Sequence, residues 1–323
     1  MVNAIKNNQF FLGIDTSCYT TSVAVVDNLG NIVFDQRKFL SVDSGQRGLR
    51  QSDMVYQHLK NLPEIFPEGF CGFSAVAASE KPRPQEDSYM PVFEVSKTIG
   101  RAVSSATKDC RYYPLTHQHG HIAAAMLGTK LPDSFLALHV SGGTTECLYV
   151  TKDSFDIINT VDFIAGYSDI SAGQLIDRVG QNLNLSFPIG PKLEETANQA
   201  EKKDIVLKSV FKDNALSFSG AETQAFRYMK MGVEPAEIAY ATEMCVARGL
   251  EKLLRFGFDM KACDTALVFG GVASNEHIRA HLTRRMGNHI AFGKKAFCTD
   301  NACGLALLAH KMKMAEDIDG NSD

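Results

Sequence analysis

Phe135 to Val150 reads FLALHVSGGTTECLYV. An apolar run breaks at Ser141-Gly142-Gly143-Thr144-Thr145 and resumes at Cys147-Leu148-Tyr149-Val150, which predicts two strands joined by a small, hydroxyl-rich turn. The free N–H groups and hydroxyls of such a turn can hold an anion, so the hairpin reads as a phosphate clamp.

An earlier stretch, FLGIDTSCYTTSVAVV from Phe11 to Val26, lies over it without a gap. Phe11, Leu12, Ser17, Thr20 and Thr21 meet identical residues at Phe135, Leu136, Ser141, Thr144 and Thr145. The repeat predicts two homologous lobes, residues 1–130 and 131–323, each opened by a hairpin. A duplicated strand-turn-strand of this kind resembles the actin, sugar kinase and chaperone ATPase superfamily (ASKHA), in which facing hairpins grip a nucleotide phosphate. The expected fold is therefore α/β and two-lobed, with a helical insertion at about 191–262.

The chain has 323 residues, of which 45% are hydrophobic, enough to bury two ordinary cores. Its net charge of −4 gives no global attraction to nucleic acid, so RNA would need a local basic face. Arg47, Arg50, Lys81, Arg83, Lys97, Arg101, Lys108 and Arg111 supply the residues for one; scattered surface charge is the competing reading. The eight cysteines form no CxxC pair, and Cys147, Cys245 and Cys263 sit in apolar segments, as reduced thiols do. No run approaches the ~20 apolar residues of a membrane span. A cytoplasmic protein is expected.

Strands are expected at Ile32–Leu40, Phe73–Ala78, Phe155–Asp162 and Thr265–Phe269. Helices are expected at Val92–Ala106, Ser171–Leu183 and Asn275–Met286. Gly270-Gly271 between strand and helix would let a ligand approach the backbone at a helix N-terminus, where anions are favoured. The proline-punctuated loop from Ser79 to Pro91 is either a binding loop or a plain connector.

His117 and His121, in HQHGHIAAAMLG, fall one turn apart on one face if the segment is helical, a two-point grip for a metal. Ordinary core or surface histidines explain the same spacing, and His119 between them is a further candidate. Asp300, in Phe297-Cys298-Thr299-Asp300-Asn301, stands before a helix and suits an N-cap; spacing alone does not join it to the histidines.

Taken together, GIDTSC (13–18), HQHGH (117–121), VSGGTT (140–145), AGQLIDRVG (172–180), PIGP (188–191), LSFSGAET (216–223), GGVASN (270–275) and FCTDNA (297–302) occur in the order seen in the TsaD family. This is the tRNA threonylcarbamoyladenosine biosynthesis family, once labelled O-sialoglycoprotein endopeptidase. The resemblance covers nearly the whole chain. It implies transfer of a threonylcarbamoyl group from threonylcarbamoyl adenylate to the N6 amine of the adenosine beside the tRNA anticodon. It also implies one divalent metal, iron or zinc, on His117, His121 and Asp300. An adenylate or ATP-type nucleotide would rest on His139, Val140, Ser141, Gly142, Gly143, Asp177, Gly190, Gly271 and Asn275. The partners it implies are tRNA and a TsaB-like or TsaD-like subunit bound through the N-terminal lobe, with a homodimer as the alternative.

The chain departs from the family pattern at several points. Tyr19-Thr20 replaces an acidic pair, His119 an acidic residue, Thr144 a histidine, and the loop from Pro82 to Pro91 a glycine-rich one; a second acidic pair is reduced to Asp169-Ile170. Two further readings follow: a non-catalytic nucleotide-binding scaffold, and a carbamoyltransferase acting on a small molecule. No Glu is placed like the base of an HExxH helix, which argues against a metallopeptidase. No acidic base near the first hairpin marks a sugar kinase.

Overall fold

The computed structural model describes residues 9–17, 19–42, 49–70 and 72–320. Cys18 of the first hairpin and Arg47 of the basic set lie outside them.

The described chain forms two compact units. The first comprises residues 1–127, 152–158 and 299–323. Its sheet has the order β3-β2-β1-β4-β5, built from β1 (Phe10–Ser17), β2 (Thr20–Asp27), β3 (Ile32–Phe39), β4 (Ala75–Lys81) and β5 (Arg111–Thr116). The first three strands run antiparallel, and β1, β4 and β5 are parallel. β1 is buried along nearly its whole length, which explains its continuous apolar reading, whereas edge strand β3 is half exposed. Helices α1 (Gln51–Ile65), α2 (Phe93–Ala106), α3 (His117–Met126) and α9 (Cys303–Asp319) complete the unit. Leu12, Ile14, Val23, Val25, Val76 and Val95 are among the residues of its core.

The second unit comprises residues 128–151 and 159–298. Its strands are β6 (Ser134–Val140), β7 (Thr145–Lys152), β8 (Ile158–Tyr167), β9 (Val210–Lys212), β10 (Ala215–Ser217), β11 (Ala266–Phe269) and β12 (Ile290–Phe292), in the order β12-β11-β6-β7-β8-β10-β9. Reading β8-β7-β6-β11-β12 against β3-β2-β1-β4-β5 gives the same topology twice, so the sequence repeat is a structural one. The helices are α4 (Ala172–Asn182), α5 (Ile189–Ala197), α6 (Ser219–Lys230), α7 (Pro235–Met260) and α8 (Glu276–Met286).

Local patterns located most elements to within a few residues. The strand expected at Phe155–Asp162 starts later, at Ile158, because Asp153 accepts hydrogen bonds from Phe155 N and Ile157 N and holds that stretch as a turn. The insertion is not wholly helical, since β9 and β10 extend the sheet beyond β8. A division at residue 131 would have set Asp300 apart from the histidines. The contacts instead place residues 299–323, and with them Asp300 and α9, in the first unit.

Candidate functional site

α3 begins where β5 ends. Thr116 caps it by accepting a hydrogen bond from His119 N at 3.2 Å, which fixes the helix start and points His117 and His121 the same way. Their rings lie 4.3 Å apart, centroid to centroid, at 77°. Asp300 comes to them from the segment before α9. Its Oδ1 lies 3.1 Å from His121 Nε2 and 3.7 Å from His117 Nε2. One ligand atom from each of the three residues falls within 4.8 Å of the others.

Two close backbone approaches bring Asp300 there. A Cβ on Gly304 would stand 1.9 Å from Gly120 O, so α3 and α9 cross in near contact. A Cβ on Gly13 would meet Ala302 O at 2.4 Å, which presses β1 against the start of α9. Asp300 is not the N-cap that its position suggested. Ala302 occupies that place, and Asn301 Oδ1 accepts from Cys303 N, so the Asp300 carboxylate is left for the histidines.

Behind His117 stands Asp15 of β1, fully buried, with Oδ2 3.0 Å and Oδ1 3.1 Å from Nδ1. An ionised carboxylate only accepts, so Nδ1–H is the donor and Nε2 faces Asp300. Thr20 Oγ1 donates to Asp300 Oδ2 at 3.2 Å and so orients the third residue of the cluster. From the sequence, Asp15 stands only within the GIDTSC motif, and Thr20 only as a repeat position and a departure from the family pattern; neither is joined to the histidines there. The available signal was a carboxylate inside an apolar strand, since a buried charge needs a partner.

Burial pulls the His117 imidazole down, but Asp15 and then Asp300 outweigh it and hold its pKa at about 9. Burial pushes Asp300 up, and the hydrogen bond from His121 with the charge of His117 overcomes this, leaving it well below the usual carboxylate range. Asp15 is lowered in the same way, burial being outweighed by His117. The two imidazole nitrogens and one carboxylate oxygen suit a divalent transition ion. The residues therefore fit the metal, and Asp15 fits the usual carboxylate that orients a ligating histidine.

His119 is not part of this group. Its Nδ1 lies 2.6 Å from Thr116 Oγ1, and it lines a separate cavity with Lys81; burial and then Lys81 hold it down at about 4. Of the basic residues, Lys97 pairs with Glu94, Arg101 with Glu80 and Arg111 with Glu316.

The residues assigned to the nucleotide all lie in the second unit. Ser141 N donates to Thr144 O at 2.8 Å and closes the turn, leaving Gly142 and Gly143 open on the side where a Cβ would sit. α4 abuts this turn. Ser171 and Gln174 form a capping box, Ser171 Oγ also donates to Gly142 O at 2.7 Å, and Gly173 permits the approach because a Cβ there would meet Ser141 O at 2.4 Å. Asp169 accepts from Ser217 Oγ at 2.6 Å and Phe218 N at 3.0 Å and so ties the approach to α4 to the start of α6. Asp177, half-buried on α4, is pushed up by burial, with no partner among the described residues to offset it. His139 stacks on Phe269 at 4.9 Å, and Val140 is buried.

Gly190 and Gly271 face open space. The Asn275 side chain is largely engaged: Oδ1 caps α8 at Ile278 N, and Nδ2 donates to buried Glu243 at 2.8 Å. Glu276 N donates to Glu194 Oε1, so the first turn of α8 is already supplied with an anion from within the chain. The anion-binding helix end expected there is partly filled. The turn at 141–144 keeps its approach open.

The family model of TsaD, described as tRNA N6-adenosine threonylcarbamoyltransferase, matches residues 94–307. The protein of that name from Thermosipho melanesiensis is 28% identical over 328 residues, covering 97% of this chain and 96% of the relative. The one from Cyanothece sp. is 29% identical over 326 residues, covering 92% and 90%. The activator of 2-hydroxyisocaproyl-CoA dehydratase from Clostridium difficile, solved with bound ADPNP, aligns with a TM-score of 0.55 at 13% identity over 96% of this chain and 98% of that one, a likeness of fold. The fold is the two-lobed ASKHA type, and with the family match spanning most of its length the chain belongs to the TsaD family of tRNA N6-adenosine threonylcarbamoyltransferases.

Proposed function

We propose that this chain transfers a threonylcarbamoyl group from threonylcarbamoyl adenylate to the N6 amine of the adenosine beside the tRNA anticodon, using one divalent ion, iron or zinc. The observation that carries the reading is the convergence of His117, His121 and Asp300 with Asp15 behind them. A bound ion supplies Lewis-acid polarisation of oxygens and leaves positions open to substrate. Asp15 fixes the His117 tautomer, and Thr20 fixes the Asp300 carboxylate. Ser141, Gly142 and Gly143 offer a turn for the adenylate phosphate, with His139 and Val140 leading into it. Asp177 is available to accept ribose hydroxyls, Gly190 and Gly271 leave room for the base, and Asn275 is a further adenylate contact. The mixed anhydride is already activated, so no nucleophile from the protein is needed and positioning supplies the acceleration.

The same reading makes tRNA the macromolecular substrate and a TsaB-like or TsaD-like chain the partner through the first unit, or a second copy of this chain. A cytoplasmic setting fits the free thiols among the described cysteines. No helix among the described residues is long and apolar enough to cross a membrane.

The test is purified protein with metal, partner subunit, threonylcarbamoyl adenylate and tRNA, followed by nucleoside mass spectrometry. Modified adenosine is expected. Unmodified tRNA with intact metal binding would leave the scaffold reading, and adenylate consumption without tRNA modification would favour a small-molecule acceptor.

A further inference from the structure

The loop between β4 and α2 helps to line a cavity of about 440 Å³ within the first unit. That is the size of a small-ligand site. Pro84, Pro114 and Leu115 give it apolar walls, Tyr89 stands at its edge 63% exposed, and Thr116 and His119 line it from the start of α3. Its charges are mostly used internally. Glu80 accepts from Arg101 at 3.1 Å and Tyr112 Oη at 3.0 Å, Lys81 Nζ donates to Pro84 O at 2.9 Å and Gln85 O at 3.2 Å, and Lys97 pairs with Glu94. His119 Nδ1 is tied to Thr116, so Nε2 is the ring atom with capacity to spare.

What remains for a ligand is an exposed aromatic face, proline surfaces and one imidazole edge, the surroundings of a flat heteroaromatic ring. Glu86, also in the lining, disfavours a phosphate there. Position 119 lies half a turn from 117 and 121, so the cavity opens on the side of α3 away from the metal cluster. α3 is about 10 Å across with its side chains.

We propose that this cavity holds an unstacked nucleobase of the tRNA anticodon loop, one flanking the acceptor adenosine, stacked on Tyr89 and hydrogen-bonded by His119. Single-stranded loops are read in this way, by stacking on aromatic side chains and hydrogen bonds to base edges. The inference rests on the tRNA reading above and adds a second contact point that fixes which loop position reaches the metal. No residue of the cluster takes part in it.

The experiment measures binding of a synthetic anticodon stem–loop RNA to the full chain. Tyr89→Ala and His119→Ala are each expected to weaken binding about tenfold, the scale of one base-aromatic stack, with metal content and adenylate affinity unchanged. An abasic nucleotide beside the acceptor should weaken wild type equally and leave Tyr89→Ala no weaker than before. Tyr89 is exposed, so its truncation does not threaten the fold. If wild type binds the stem–loop and both variants bind it equally well, the proposal is overturned. If wild type fails to bind it, with or without its partner subunit, the tRNA reading itself fails.

Discussion

Asp15 Oδ2 lies 3.0 Å from His117 Nδ1, joining the central strand of the first unit to the first residue of α3 across 102 positions of sequence. This contact turns the imidazole so that Nε2 faces Asp300, and it pairs a carboxylate that is otherwise fully buried. Asp15→Asn keeps the shape but replaces an ionised acceptor with an amide. The expected result is a metal affinity 10 to 100-fold weaker, about the usual loss when the partner of a ligating histidine is removed. Titration calorimetry with zinc reads it, and unchanged affinity would refute the role.

Removing a member of the cluster itself is expected to be more severe. His121→Ala or Asp300→Asn should abolish stoichiometric metal, read by elemental analysis of purified protein. Chelation of wild type should stop transfer, with activity returning on addition of the ion. Full metal content in either variant would show that the ion sits elsewhere.

The Gly304–Gly120 crossing is a packing constraint with a functional consequence. Gly304→Ala sets a methyl 1.9 Å from Gly120 O, and the overpacking should cost about 1–3 kcal/mol. Because α9 must then move from α3, metal affinity should fall with the melting temperature. A stable variant that keeps its metal affinity would show that the crossing has slack.

Asp177 offers the opposite trade. Its carboxyl is raised by burial and has no partner among the described residues to offset the cost, so Asp177→Asn should leave the protein as stable as wild type or slightly more so. Adenylate binding should weaken about tenfold, the loss of one charge-assisted hydrogen bond. Calorimetry with a non-hydrolysable adenylate separates the two effects, and equal affinity would remove Asp177 from the site.

The α7–α8 contact predicts a pH dependence away from the site. Glu251 accepts from His281 Nε2 at 2.8 Å and from Arg285 Nε and Arg255 Nε at 3.0 Å. Burial raises its pKa, but these donors outweigh it and lower the value from 4.5 to about 2. A depressed carboxylate stabilises the fold above its unfolded value, and that contribution is lost as pH falls from 4.5 toward 2. The melting-temperature gap between wild type and Glu251→Gln should therefore be widest near neutrality and close across that window. A gap constant from about pH 6 to about pH 3 would count against it.

Much of this protein follows from short-range pattern. The hairpin repeat, the α/β class and the helix at HQHGH are legible because strand and helix periods are local, and one turn of helix suffices to align His117 with His121. The sequence by itself also held the motif order that marks the family.

Only the tertiary structure decided that Asp15 and Thr20 stand behind the cluster and that His119 is tied to Thr116 instead. It also brought Asp300, whose position alone suited a helix cap, beside His117 and His121 within the first unit. Those facts depend on how closely β1, α3 and α9 approach one another, and on side chains separated by up to 280 positions. A close approach is set by the absence of Cβ atoms at Gly13 and Gly304, which leaves no periodic trace in the chain.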